Sequence, residues 1–207
     1  MILLTEYFKP KSVRRFSEYL YTLHENIENK FIDKIILFIS DNARLNFESN
    51  KIQIITLDQR PTYQYMIDYC NQNFNDICIL GNSDIIFDDS LSLITKQHLK
   101  NMVYGISRRE LQDDYSIKER PYQHLHTSQD AWIFLPKLIL NTSANFTLGT
   151  KACDLRISSI IKESGYDIKN PYGKIILKHF HLTEYRTYNH HVVVPGSHHT
   201  LPPVNEL

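Results

Sequence analysis

The sequence predicts an α/β fold with a largely parallel sheet and helices packed on it. Three observations predict it. Short apolar runs of buried-strand type recur along the chain, such as Lys34-Ile35-Ile36-Leu37-Phe38-Ile39-Ser40 and Ile77-Cys78-Ile79-Leu80. Between them lie segments whose apolar residues fall three and four apart, the spacing of one helix face. Over the first 84 residues the order is β-α-β-β-α-β, and strands joined through helices pair in parallel.

Each element has its own signal. Residues 1–7 read as a strand, and Ser12 caps a helix whose apolar positions are Val13, Phe16, Leu20, Leu23 and Ile27. Residues 34–40 and 52–57 are the next two strands. Thr62, after Arg60-Pro61, caps a second helix with Tyr63, Met66, Ile67, Cys70 and Phe74 on one stripe. The fourth strand, 77–80, runs into Gly81-Asn82-Ser83-Asp84, and Asp89-Ser90 opens a short helix. Residues 101–107 and 131–134 have strand character. Between them, 109–127 is a polar stretch too long for an ordinary connection, the mark of a lid or binding loop. A helix over 154–164 turns Ile157, Ile160 and Ile161 inward and stops at Gly165. Residues 174–181 form the last strand, and the proline-containing tail from 192 onward is expected to be extended or loosely held.

Composition narrows the function classes. With 207 residues and 42% apolar side chains the chain can bury one sizeable core, so residues 1–207 read as a single domain. Twenty-three basic residues balance 23 acidic ones, which argues against a nucleic-acid partner, since phosphate binding rewards a basic excess. The first residues lack the apolar run and cleavage site of a signal peptide, and no window approaches the roughly 20 apolar residues of a membrane span. Cys70, Cys78 and Cys153 are unevenly spaced, as reduced thiols are, so the expected compartment is cytoplasmic.

Four groups of residues could carry chemistry. Asp84, with Asn82 and Ser83, stands at the carboxyl end of a strand, where open α/β sheets bind ligands; a turn former is the alternative. His179 and His181 share one strand face about 6.6 Å apart. That separation leaves open whether both join Asp84 on a metal, or one does while the other orients a ligand phosphate or packs beneath it. Asp154 lies at a helix amino end, where the dipole favours a carboxylate that can accept a proton, although a plain cap would look the same. Asp130 is a second acid beside Trp132, which either walls a sugar site or fills core. Finally, Arg60 with Tyr63, and Arg186 with Tyr188, are cationic and aromatic residues near strand ends, suited to a diphosphate.

The ordered set is Asn-Ser-Asp-Ile-Ile-Phe-Asp from residue 82, Ser-Gln-Asp-Ala-Trp-Ile-Phe from 128, Leu-Gly-x-x-x-Cys-Asp-x-Arg-Ile from 148, His-x-His at 179 and Arg-x-Tyr at 186. It resembles the GT-A-fold glycosyltransferases of the small sort seen in bacterial and large-virus sugar-polymer loci, over residues 1–188. The resemblance implies a three-layer α/β/α sandwich with a mixed, mostly parallel central sheet. It divides the chain into a nucleotide-binding half (1–84), an acceptor and catalytic half (85–191) and an extended tail (192–207). It also implies Mn2+ or Mg2+ on Asp84, with His179 or His181 as the late ligand; Asn82 stands where the family's Asp-x-Asp element has its first acid. Thr5, Tyr7, Arg60 and Tyr63 match the positions that hold base and ribose, Asn82 and Ser83 those beside ribose or phosphate, and Arg186 steadies the leaving group. Asp154 matches the general base of inverting members, with Asp130 as the competitor. The implied partners are a UDP-, GDP- or TDP-linked sugar donor and a saccharide acceptor. Two other readings compete: a metal-dependent phosphoester hydrolase, and a catalytically silent module that binds sugar nucleotides or carbohydrate.

Overall fold

The computed structural model describes residues 1–10, 12–41, 43–112, 114–181 and 193–207. Its central sheet has seven strands: β1 (Ile2–Tyr7), β2 (Lys34–Ile39), β3 (Ile52–Thr56), β4 (Cys78–Gly81), β6 (Met102–Ile106), β9 (Ala131–Phe134) and β10 (Asp167–Lys169). Their spatial order is β10-β6-β9-β4-β1-β2-β3. All adjacent pairs are parallel except those made by β9, which runs antiparallel to both β4 and β6. This is the mixed, mostly parallel sheet of a GT-A-like fold.

Alternation along the strands feeds two cores. Leu4, Ile36, Phe38, Leu80, Trp132 and Phe134 face α2 (Tyr63–Asn73) and α4 (Cys153–Glu163), which contribute Met66, Ile67, Ile157 and Ile160. Leu3, Ile35, Leu37, Ile79 and Ile133 face the opposite way, toward α1 (Val13–Glu28) and a second, smaller sheet. Burial on both faces explains why these strands are apolar throughout. Gly105 on β6 lies against the Trp132 ring, so close that any Cβ would collide with it.

The helix caps fall where the sequence places them. Ser12 accepts from the Arg15 backbone N–H at 3.3 Å and Thr62 from that of Tyr65 at 3.1 Å. Gly165, at φ 89°, follows the end of α4 in a left-handed conformation that costs glycine little.

Four expectations change. The 109–127 stretch is not a structureless loop: it holds β7 (Arg109–Leu111), β8 (Ile117–Lys118) and the one-turn helix α3 (Tyr122–Leu125). With β5 (Ile85–Phe87) and β11 (Leu177–His179) the two strands form a four-stranded sheet of order β5-β11-β7-β8. The last strand is therefore shorter than 174–181. On α1, Val13 is 81% exposed, whereas Arg15, Glu18, Thr22 and Asn26 are buried as a polar stripe. The tail, finally, is tied down by backbone bonds from Val194 to Lys151, His199 to Leu155, Leu201 to His126 and Val204 to Asn170.

Candidate active site

The site is placed by topology. β1 lies between β2 and β4, so successive connections leave it in opposite directions and a crevice opens beyond the carboxyl ends of β1 and β4. A narrow pocket there is lined by Thr5, Glu6 and Tyr7 from β1, by Asn82 and Ser83, and by Thr22 and Asn26 from α1. The hydroxyls of Thr5, Tyr7 and Thr22 are buried and without a partner. Three such groups around one pocket call for a polar ligand or ordered water. Burial, aided by Asp41, raises the Tyr7 phenol, so it stands there as a neutral donor.

Asp84 follows in the turn between β4 and β5, and its carbonyl accepts from the Phe180 N–H at 3.0 Å. That bond fixes the end of β11 beside the turn. Asp84 Oδ2 meets both the Arg15 guanidinium and His179 Nε2, the latter at 3.1 Å. Glu110 Oε2 takes the other imidazole nitrogen, Nδ1, at 2.6 Å. Burial opposes a charge on His179, but Asp84 and Glu110 outweigh it and raise the imidazole; Glu110 takes the Nδ1 side, and Nε2 is the nitrogen turned to Asp84. Burial likewise opposes ionised Asp84, and His179, Arg15 and Arg108 hold its carboxyl well below the usual range. Glu110 is held down to about 2 against its own burial, by His179 and then Arg108.

His181 behaves differently. Burial, Arg15 and His179 lower it, leaving a neutral ring 5.3 Å from that of His179, and its Nε2 is buried without a partner. One ligand atom from each of Asp84, His179 and His181 lies within 4.8 Å of the other two. A carboxylate, a free imidazole nitrogen and a second imidazole backed by Glu110 fit a divalent ion. Two nitrogens suit Mn2+ better than Mg2+, which prefers oxygen ligands.

The remaining acids gather at the same edge because β9 is antiparallel. Its amino end pairs Ala131 with Gly81, and the Asp130 backbone bonds to Asn82 on one side and Ile106 on the other. Asp130 Oδ1 accepts from Arg108 at 2.5 Å and from the Asn82 amide at 3.1 Å, while its Oδ2 is buried without a partner. Asp154 sits in the first turn of α4, whose cap is Ala152; the carboxylate is not itself the cap. Burial first, then Asp130, pushes Asp154 up to about 7, against the pull of Cys153, Arg108 and Arg120. The Cys153 thiol donates to Asp154 Oδ1 at 3.2 Å.

Other expected residues lie elsewhere. Arg60 grips Glu6 with two bonds, of 3.0 and 2.5 Å, and reaches the Leu148 carbonyl at 2.9 Å. Tyr63 and Trp132 are core residues; the indole donates to the Tyr63 hydroxyl at 3.2 Å, and neither ring is open to a ligand. Arg186 and Tyr188 fall outside the described residues. The structure adds Arg15, Arg108 and Glu110. None of the three stood out in the sequence: Arg15, Glu18, Thr22 and Asn26 repeat at three and four along α1, but so do Arg14, Ser17, Tyr21, Glu25 and Glu28.

No family model matches the sequence, and no curated protein is similar to it in sequence. Solved structures share its fold. HddC from Yersinia pseudotuberculosis aligns with a TM-score of 0.55 and 15% identity, over 88% of this chain and 95% of that one. GalNAc-T7, crystallised with UDP, GalNAc and Mn2+, aligns at 0.58 and 8% identity over 92% of this chain but only 44% of its own, so this chain spans under half of it. The inositol-1-phosphate CTP transferase of T. maritima aligns at 0.52 and 12% identity, over 90% and 91%. Likeness at such identities establishes the fold, and activity has to be argued from the site. Among the described residues, no helix is long and apolar enough to cross a membrane.

Proposed function

We propose that the protein is a metal-assisted glycosyltransferase that moves a sugar from a nucleotide-diphosphate donor to a hydroxyl acceptor with inversion. The observation that carries this reading is the contrast at one sheet edge between Asp84, kept anionic beside two histidines, and Asp154, raised to about 7. The first suits a cation and the second a proton.

In this reading residues 1–84 form the donor half. The hydroxyls of Thr5 and Tyr7, with Asn82 and Ser83, hold the nucleoside in the crevice, and Arg60 fixes Glu6 beside it. Asp84, His179 and His181 would hold Mn2+, which supplies positive charge where the diphosphate leaving group develops its own. Glu110 keeps the His179 ring oriented by its bond to Nδ1. The acceptor oxygen attacks the anomeric carbon, the bond to the diphosphate oxygen breaks, and Asp154 takes the hydroxyl proton. Asp130 is the weaker candidate base because Oδ1 is already paired with Arg108 and Asn82. Its charge serves instead to raise Asp154.

The fold relatives include a protein crystallised with UDP, GalNAc and Mn2+ and a CTP transferase, so nucleotidyl transfer is the nearest competitor. One sequence feature speaks against it. The segment joining β1 to α1, Phe8-Lys9-Pro10-Lys11-Ser12, has no glycine, and no glycine precedes Gly81. A loop that wraps a triphosphate with backbone N–H groups normally needs glycines to bend around it.

The test is a thermal-shift panel of UDP-, GDP- and TDP-linked sugars with and without Mn2+, followed by a transfer assay with any donor that binds. A metal-dependent shift with at least one sugar nucleotide, and none with CTP or the other nucleoside triphosphates, is expected. Stabilisation by a triphosphate alone would replace this reading with nucleotidyl transfer.

A further inference from the structure

Arg15 is the least expected member of the site. Its guanidinium is buried against Asp84 and against Glu18, which it meets at 2.6 Å; it also approaches the Phe180 carbonyl at 3.4 Å and lies 4.5 Å above the Tyr19 ring. A buried arginine with four partners belongs to the site and is not a surface side chain that drifts past. It rests on Asp84 Oδ2, the same oxygen that faces His179. Arg14, one residue earlier on α1, is exposed and marks the ordinary position for such a side chain.

We propose that Arg15 is a resident cation that competes with a divalent ion for Asp84, and so sets how tightly the Asp84–His179–His181 site takes metal. This rests on the metal reading above. The physical case is charge accounting at short range. A carboxylate already neutralised by a guanidinium offers an incoming ion less attraction, and any ion seated on Asp84 meets the guanidinium as a like charge. Glu18 provides the means for the arginine to yield. It holds Nη1 while Nη2 holds Asp84, so the guanidinium can turn away from Asp84 without losing its second anchor. Weak affinity for the bare ion is the consequence. An ion arriving already bound to the diphosphate of a donor brings compensating negative charge, which a released guanidinium can meet.

The test measures Mn2+ binding directly, as free Mn2+ remaining by electron paramagnetic resonance, on the full chain without donor. The arms are wild type, Arg15→Lys, the double variant Arg15→Met with Glu18→Gln, and His181→Ala as the control for the site. Circular dichroism melts accompany each arm to establish that the chain is folded. The double variant removes the competitor together with the charge of Glu18, the acid that anchors it. It is expected to bind Mn2+ at least about tenfold more tightly than wild type, the equivalent of about 1.4 kcal/mol. Arg15→Lys, which keeps a positive charge, should stay within a few-fold of wild type, and His181→Ala should bind more weakly. A folded double variant that binds Mn2+ no more tightly than wild type overturns the competition while leaving the metal reading intact. If no arm binds Mn2+, both fall.

Discussion

Asp84 and Asp154 stand at the two ends of one sheet edge and share a neighbour, Arg108, yet their surroundings drive them apart. Asp84 has more cationic company than its charge requires: Arg15 and His179 touch it and Arg108 adds to them. Asp154 is buried beside Asp130, which already engages Arg108. The lesson is that a carboxylate's role at a sheet edge is set by who has claimed the nearby cations. Sequence position alone makes the two acids look alike.

The most severe way to break the contrast is Asp154→Asn. It removes the proton acceptor without changing shape, so transfer should fall by about 10²- to 10⁴-fold while the donor-induced thermal shift persists. Retained transfer would move the base to Asp130 or elsewhere. Asp84→Ala attacks the other end. It strips Arg15 and His179 of their shared partner, so Mn2+ binding should be lost and calorimetry should find the protein less stable by about 3 kcal/mol.

A pH series sharpens the comparison because the two groups give opposite slopes. Asp84 is lower in the folded chain than unfolded, so its contribution to stability is present above about pH 4 and lost as pH falls. Asp154 is higher in the folded chain. Between about pH 4 and 7 the folded state keeps a proton that the unfolded state releases, and this group's contribution declines as pH rises through that window. Asp154→Asn should therefore gain in melting temperature on wild type from pH 4 to 7. Transfer by wild type should climb with an acid limb near pH 7. The smallest effect is expected from Cys153→Ala: the thiol favours ionised Asp154, so its loss should move the acid limb upward by a fraction of a pH unit.

Much of the first half was legible because each element there declares itself locally. β1, β2, β3 and β4 are apolar runs, and α1 and α2 carry a cap and a stripe of matching period. The second sheet was not legible, since its strands are two or three residues long and pair across great separations, as Ile85–Phe87 does with Leu177–His179. Such strands have no period to detect. In the site, the acids and histidines could be read from their places at strand and helix ends. Arg15 could not be told from Arg14, because only tertiary packing decides which of two adjacent arginines faces inward. Glu110 was hidden by the polarity of a segment that looked like a loop, and Arg108 stood between that segment and the strand before it.

The polar stripe of α1 does more than deliver Arg15. β5 is the outermost strand of its sheet, and its free side is met by side chains: the Asn26 amide donates to Ile85 O at 2.8 Å and its oxygen accepts from Phe87 N–H at 3.0 Å, while Asn29 donates to Phe87 O at 2.9 Å. Two asparagines thus act as a surrogate strand, closing an edge that another chain could otherwise extend. The helix and that border are consequently sewn into one cooperative unit. The amide hydrogen of Phe87, which Asn26 holds, should exchange with solvent only when the helix itself lets go.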